Sequence, residues 1–495
     1  MEFTVTNSAI FQGGKKVSIK GVNWFGLETE VYCLHGLWSV SMKFILDFIQ
    51  QNGFNAIRVP FSAEVALGLD KLKCKSINTS ANPDLIDITP GKLLDKLVIE
   101  CHKRGILIMP DMHRLVGTGQ ITELWYDNEL GYTEAKVIEA WKILVKRYTK
   151  YPNVFAVDLK NEPHGKATWG AGVPETDWNK AAERIGDAIL DRNPKLLIVV
   201  EGVQTYKGEG TWWGGNLAGA KDVPVELKVP NKLVYSPHVY GPSVFAQPYF
   251  SEASFPNNMQ TIWDNHFGFL EKTKQGCILI GEWGGQMKTE NKDDVWQNAM
   301  GEYFIQNNID AFYWCVNPNS DDTKGLLDDD WKTPITRKLE LLKKVHPNPT
   351  KFNFTSSTII KPPIPTPTAT PIPLPTQVPN IPEITKPSIP GKIEPQKPTL
   401  PSFRVDIVNK NSWLDGNNVT VIHREVTITN TNATPLRSLN LKLTTGQLLQ
   451  IWNVTNYNGI LSFPDYVNEN GIAPGDIFTF GLISSGPTSL TSVTQ

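Results

Sequence analysis

The sequence of 495 residues predicts a (β/α)8 TIM barrel, then a proline-rich linker, then a small β-sandwich. Three observations carry this. Strand-like and helix-like patterns alternate through roughly the first 350 residues, as in a β/α barrel. A proline-dense stretch then stops both patterns. Beyond it the chain turns strand-like only, with turn residues at short intervals. A chain of this length exceeds one ordinary domain and can bury a barrel-sized core.

In the first region, the apolar β-branched runs are 17–23, 55–60, 106–111, 154–161, 196–201, 232–238, 277–282 and 311–317. Amphipathic helices are expected between them at 41–51, 91–103, 134–148, 177–191, 292–306 and 333–344. A doubly wound open sheet would also alternate in this way. Polar residues recur at nearly every strand end, however, as a closed barrel with a central site requires. This domain is assigned to residues 1–350.

The linker is assigned to 356–401, where Lys361-Pro362-Pro363-Ile364-Pro365 opens a long series of prolines. Proline removes a ladder donor and favours extended polyproline conformation, so a spacer reaching roughly 3 Å per residue is expected. Residues 402–495 form the expected sandwich, with strand-like segments at 419–428, 439–443 and 477–482.

Composition excludes some functions. The net charge is −2, and no basic stripe suggests nucleic acid. No apolar run reaches the length of a membrane span. The N-terminus, Met1-Glu2-Phe3-Thr4-Val5-Thr6, shows no secretory signal, yet acceptor triplets for glycosylation stand at Asn78, Asn353, Asn418, Asn432 and Asn453. A secreted glycoprotein is therefore expected, and a monomer is the expected state. The five cysteines show no metal spacing. Cys101, Cys277 and Cys315 read as buried thiols, whereas Cys33 and Cys74 fall in loops on one rim, where they could pair.

Two segments carry the chemistry: Leu159-Lys160-Asn161-Glu162-Pro163-His164 and Leu279-Ile280-Gly281-Glu282-Trp283-Gly284. Each sets a glutamate directly after an apolar run and before a turn, on the rim where barrel active sites lie. Two facing carboxyls are what glycoside hydrolysis needs, one to donate a proton and one to stay ionised. Arg58, in Ala56-Ile57-Arg58-Val59-Pro60-Phe61, is a guanidinium among apolar strand residues and needs a carboxylate partner. Asp111 and Glu201 are further strand-end carboxylates, read as support for the rim.

These motifs, with Gly21-Val22-Asn23-Trp24-Phe25-Gly26, His35-Gly36-Leu37-Trp38, Glu201-Gly202-Val203-Gln204 and Asp329-Asp330-Trp331, resemble glycoside hydrolase family 5, the clan A retaining β-glycanases, and within it the bacterial-type endoglucanases. The resemblance covers nearly all of residues 1–350. It implies Glu162 as general acid/base and Glu282 as nucleophile, with their carboxyls roughly 5–5.5 Å apart for retention. It also implies that Arg58 and Tyr240 bond the nucleophile, that His238 orients the acid/base, and that Asn161 meets the sugar 2-hydroxyl. His113 would line the −1 sugar site and Trp314 would be its platform, with a non-proline cis peptide after it. Trp38 and Trp213 are further substrate-binding candidates, with core packing as the alternative reading for each.

The last domain resembles cellulose-binding modules of the family 49 type through Ser412-Trp413, Val426-Thr427-Ile428, Ile451-Trp452-Asn453 and Phe463-Pro464. Trp413, Trp452 and Tyr457 are its candidate stacking residues, although packing competes, above all at Trp452. No metal or cofactor is expected. The leading expectation is an endo-β-1,4-glucanase acting on cellulose or a related β-glucan. Mannan, xyloglucan or mixed-linkage glucan would keep the mechanism and change the sugar. A non-catalytic wall-binding protein is the reading from another class.

Overall fold

The computed structural model describes residues 2–354, 403–414, 419–439, 441–452, 454–457, 460–463, 467 and 471–492. The linker assigned to 356–401 lies outside the described residues. The chain divides into two compact units, Met1–Ala369 and Thr370–Gln495.

In the first unit, parallel strands follow one another around a closed sheet: Lys20–Asn23, Ala56–Ser62, Leu107–Arg114, Ala156–Asp158, Leu197–Val200, a sixth strand in two pieces, Leu279–Gly284 and Asp310–Tyr313. The last of these pairs with the first, and the barrel closes there. The single sixth strand expected at 232–238 is broken. Leu233–Tyr235 pairs with the fifth strand and His238–Tyr240 with the seventh. Pro237, at the break, has no N–H to give to a ladder, which is why the pairing lapses there.

Alternation along each strand sorts the core. Ile57, Val59, Ile108, Val157, Ile198 and Ile280 pack outward against the helices. Ala56, Leu107, Met109, Ala156, Leu197, Val199 and Leu279 fill the barrel interior. By the same period-two rule Arg58, Asp111, Asp158 and Glu201 point inward, above that apolar layer. The seventh strand would break this phase, but a bulge between Ile280 and Trp283 re-aims it. The extra residue turns Glu282 inward while Trp283 joins the outer layer.

Three of the long helices start where the sequence signals a cap. Ser41, Thr89 and Thr133 each accept from the backbone N–H three residues on, and Gly105 ends its helix in the left-handed conformation. Phe3, Phe352 and Phe354 plug the barrel floor at the N-terminal ends of the strands, so the packed chain runs past residue 350. All five cysteines are free thiols; the pairing considered for Cys33 and Cys74 is not formed, and the Cys74 thiol instead donates to Tyr32 O at 3.2 Å.

The second unit contains two four-stranded antiparallel sheets. Phe403–Leu414, Thr420–Asn430, Ile477–Ser485 and Leu448–Trp452 make one, and their inward residues Val426, Ile428, Phe478, Phe480 and Leu482 share a core with Leu441 and Leu461 of the other. This is sandwich packing. Trp413, Trp452 and Tyr457 fall on strands, but their side chains lie outside the described residues.

Candidate active site

Arg58 is the hub of the site and is fully buried. Its Nε donates to Asp158 Oδ2 at 2.9 Å, Nη1 to Glu282 Oε1 at 2.6 Å and to Asn23 Oδ1 at 3.1 Å, and Nη2 to Asn161 Oδ1 at 3.0 Å and Glu201 Oε1 at 3.3 Å. Nη2 also stands 3.1 Å from Asp111 Oδ1. One guanidinium thus meets four carboxyl groups, which a planar fork of five N–H donors allows and an ammonium would not. Asp158 was not anticipated from sequence, although its inward phase with Ala156 was the available signal.

Glu282 accepts from Arg58 through one oxygen and from the Tyr240 hydroxyl, at 2.5 Å, through the other. Burial pushes its carboxyl up, against the Arg58 charge, with Glu162 adding to the rise. With donors fixed on both oxygens, the arrangement suits the ionised form. Glu162 lies across from it. A Glu162 oxygen, a Glu282 oxygen and a His238 ring nitrogen all lie within 4.8 Å of one another. Burial pushes Glu162 up to about 7, and Lys160 and Arg58 oppose the rise. His238 Nδ1 is 3.3 Å from Glu162 Oε1 and 3.5 Å from Glu282 Oε2. Burial first, and then Arg58, push His113 and His238 well down, so both rings are neutral.

Asn161 is held by its carbonyl oxygen on Arg58, while its Nδ2 is buried with no hydrogen-bond partner among the described residues. A fixed, buried and unpartnered donor costs stability unless a ligand satisfies it. Asp158, Glu201 and His238 also carry donor atoms close enough together for a cation, but both carboxylates are already bonded to the Arg58 guanidinium.

A cleft of about 500 Å³ opens over these groups, lined among others by His113, Glu162, Trp212, Trp213, Tyr240, Glu282 and Trp314. Trp314 lies nearly parallel to His113, with ring centres 5.5 Å apart, and its Nε1 donates to Ser320 Oγ at 3.0 Å. The peptide after it, Trp314–Cys315, is cis. Trp213 stacks face to face on His164, with ring centres 3.7 Å apart, and stays 42% exposed. Trp38 does not line this cleft; it packs edge-on against Trp331 and beside His35. Phe245, 63% exposed, and Asp322 line the cleft from loops with no periodicity to mark them, and sequence reasoning missed both.

Glu162 itself adopts a left-handed backbone, φ +54°, which costs a side-chain-bearing residue about 1–2 kcal/mol. Its N–H donates to Glu201 Oε2 at 2.7 Å, and its carbonyl meets His164 Nδ1 at 2.7 Å. The turn after the fourth strand is thereby held from both sides.

This geometry agrees with comparisons to known proteins. An endoglucanase of Paenibacillus polymyxa is 45% identical over 346 residues, covering 69% of this chain and 86% of that protein. The major extracellular endoglucanase of Xanthomonas campestris pv. campestris is 42% identical over 349 residues, covering 69% of this chain and 70% of that protein. An endocellulase from Pyrococcus horikoshii, solved with cellotetraose, superposes with a TM-score of 0.66 at 41% identity, over 70% of this chain and 98% of its own. Residues 404–485 match the carbohydrate binding domain CBM49. Residues 13–320, which carry the closed barrel and both facing glutamates, match the cellulase family, and the chain belongs to it: glycosyl hydrolase family 5.

Proposed function

We propose that the protein is an endo-β-1,4-glucanase that cleaves internal bonds of cellulose with retention of configuration. The observation that carries this is the opposition of Glu162 and Glu282 with oxygens within 4.8 Å, on the retaining side of the range. In the first step Glu282, held as a carboxylate by Arg58 and Tyr240, attacks the anomeric carbon and forms a glycosyl ester. Glu162 gives its proton to the departing glycosidic oxygen. In the second step Glu162, now ionised, takes a proton from water, and that water displaces Glu282. The open donor of Asn161 meets the 2-hydroxyl, a bond that strengthens as positive charge grows on the ring. Trp314 and His113 form the wall against which that ring rests.

The C-terminal domain binds cellulose or a related β-glucan and keeps the barrel near insoluble substrate. Secretion is supported by a relative named as extracellular and by the acceptor triplets.

The test compares wild type with Glu282→Gln on soluble carboxymethyl-cellulose and on mannan, following viscosity and the anomer first released. Rapid viscosity loss on the cellulose derivative, with β-anomer released first and activity abolished in the variant, is expected. Cleavage of mannan alone would overturn the substrate. Release of the α-anomer would overturn the mechanism.

A further inference from the structure

Glu201 ends the fifth strand with its side chain fully buried, and its two oxygens face in different directions. Oε1 stands 3.3 Å from Arg58 Nη2 and 3.2 Å from His238 Nε2. Oε2 accepts the backbone N–H of Glu162 at 2.7 Å. Oε2 is thereby committed to the main chain of Glu162 rather than to a cation.

The recipient explains it. Glu162 sits at φ +54°, a backbone region that L-residues leave unless surrounding bonds hold them there. The loop that follows Glu201 completes the hold. Gly165 N–H donates to Gln204 Oε1 at 3.1 Å, Gly214 N–H to Pro163 O at 3.2 Å, and Gly202 N–H to Gly214 O at 2.8 Å. Gly214 is at φ +67°, and a Cβ there would come 2.2 Å from Glu201 Oε2 and 3.2 Å from Glu162 Cα. The loop is fitted to the Glu201–Glu162 contact with no spare room. It also carries Trp213, which stacks on His164 of the same turn.

We infer that Glu201 is the positioning residue of the acid/base: it pins the left-handed backbone of Glu162 so that the carboxyl is aimed at the glycosidic oxygen. This rests on the reading of Glu162 as the proton donor. Glu201 is not among the residues that line the cleft, and it acts through the main chain of Glu162.

A role in aim makes a distinctive demand. A leaving group that departs as a stable anion needs no proton, so loss of aim should spare it. A basic leaving group needs the proton fully. The experiment measures kcat/KM for 2,4-dinitrophenyl cellobioside and phenyl cellobioside, which place the same ring in the same site. Glu201→Ala, Glu201→Gln, Gly214→Ala and Glu162→Ala are compared, with melting temperatures recorded. Glu201→Ala should lose roughly 100-fold or more on the phenyl substrate and less than about 3-fold on the dinitrophenyl one, within the range of general acid catalysis. Gly214→Ala, which leaves Glu201 in place but crowds its contact, should show the same split. Glu201→Gln, which keeps an acceptor for the N–H, should recover part of the loss.

Equal loss on both substrates in Glu201→Ala and Gly214→Ala would overturn the inference, since Glu201 would then act through Arg58 on the nucleophile or on folding. No loss on either would also overturn it. If Glu162→Ala shows the split and the Glu201 variants do not, only the positioning role fails. If Glu162→Ala shows none, the acid assignment itself fails and the inference goes with it.

Discussion

Five carboxyls, Asp111, Asp158, Glu162, Glu201 and Glu282, crowd around two buried cations, Arg58 and Lys160. Not all five can be charged in so dry a place, and burial raises every one of them. Glu162, pushed up to about 7, is active in its protonated form, so kcat/KM should fall as pH rises through about 7. Lys160, itself brought down to about 8 by burial, holds Glu162 lower than burial alone would. Lys160→Met should therefore move the alkaline limb of the pH–rate profile upward, and an unmoved or lowered limb would contradict this. Arg58 works on the opposite limb. With Arg58→Lys the fork onto Glu282 is lost, Glu282 takes up its proton more readily, and the acid limb should also move upward, with kcat reduced by roughly 100-fold or more. At this scale much was legible in the sequence. Asn161, Glu162, His238, Tyr240 and Glu282 fall at the rim ends of strand-like segments, places that can be counted to, and Arg58 stands out as a guanidinium among apolar strand residues. What Glu201 does was not legible, because its partner is a backbone N–H 39 positions away whose conformation no pattern announces.

The elements supply what single residues cannot. The bulge in the seventh strand turns Glu282 inward, and the broken sixth strand sets His238 beside it in register. Neither irregularity has a period, so neither was expected, although Gly281 and Pro237 mark the two places afterwards. The six expected helices were legible closely, Glu134–Tyr148 among them, because caps and amphipathic spacing are local; the short helix Ala63–Leu67 and the helical segments Met259–Trp263 and Phe269–Lys272 before the seventh strand were not singled out. The loop bearing Trp213 was legible only as a cluster of tryptophans and glycines. One face of Trp213 is covered by His164, which leaves the other as a rigid platform. Trp213→Ala should raise KM for long cello-oligosaccharides by about 3–10-fold, from lost stacking of roughly 1 kcal/mol, and leave kcat on a dinitrophenyl cellobioside nearly unchanged. Steady-state kinetics on both substrates would check this, and an unaltered KM would remove the platform role.

The whole molecule divides its labour between two units of separate core. Composition puts the expected boundary in the proline-dense run, which interrupts every period on either side and lies outside the described residues. The sandwich was legible as a class, while its stacking aromatics depend on which strand faces turn outward. Ending the chain at Ala369 should leave the rate on soluble carboxymethyl-cellulose within about 2-fold and lower the rate on insoluble cellulose by about 10-fold, because only the second needs a raised local concentration. Equal rates on the insoluble substrate would deny the module its anchoring role. The barrel floor adds a practical consequence. Thr350 N–H bonds Ser18 O, Val5 N–H bonds Asn231 O, and Phe3 and Phe352 face each other beneath the strands. Both ends of the catalytic unit are thus tied in at the side remote from the cleft. An engineer can hang a tag, a surface anchor or a second enzyme on either end, and the groove through which a polymer must thread stays unobstructed.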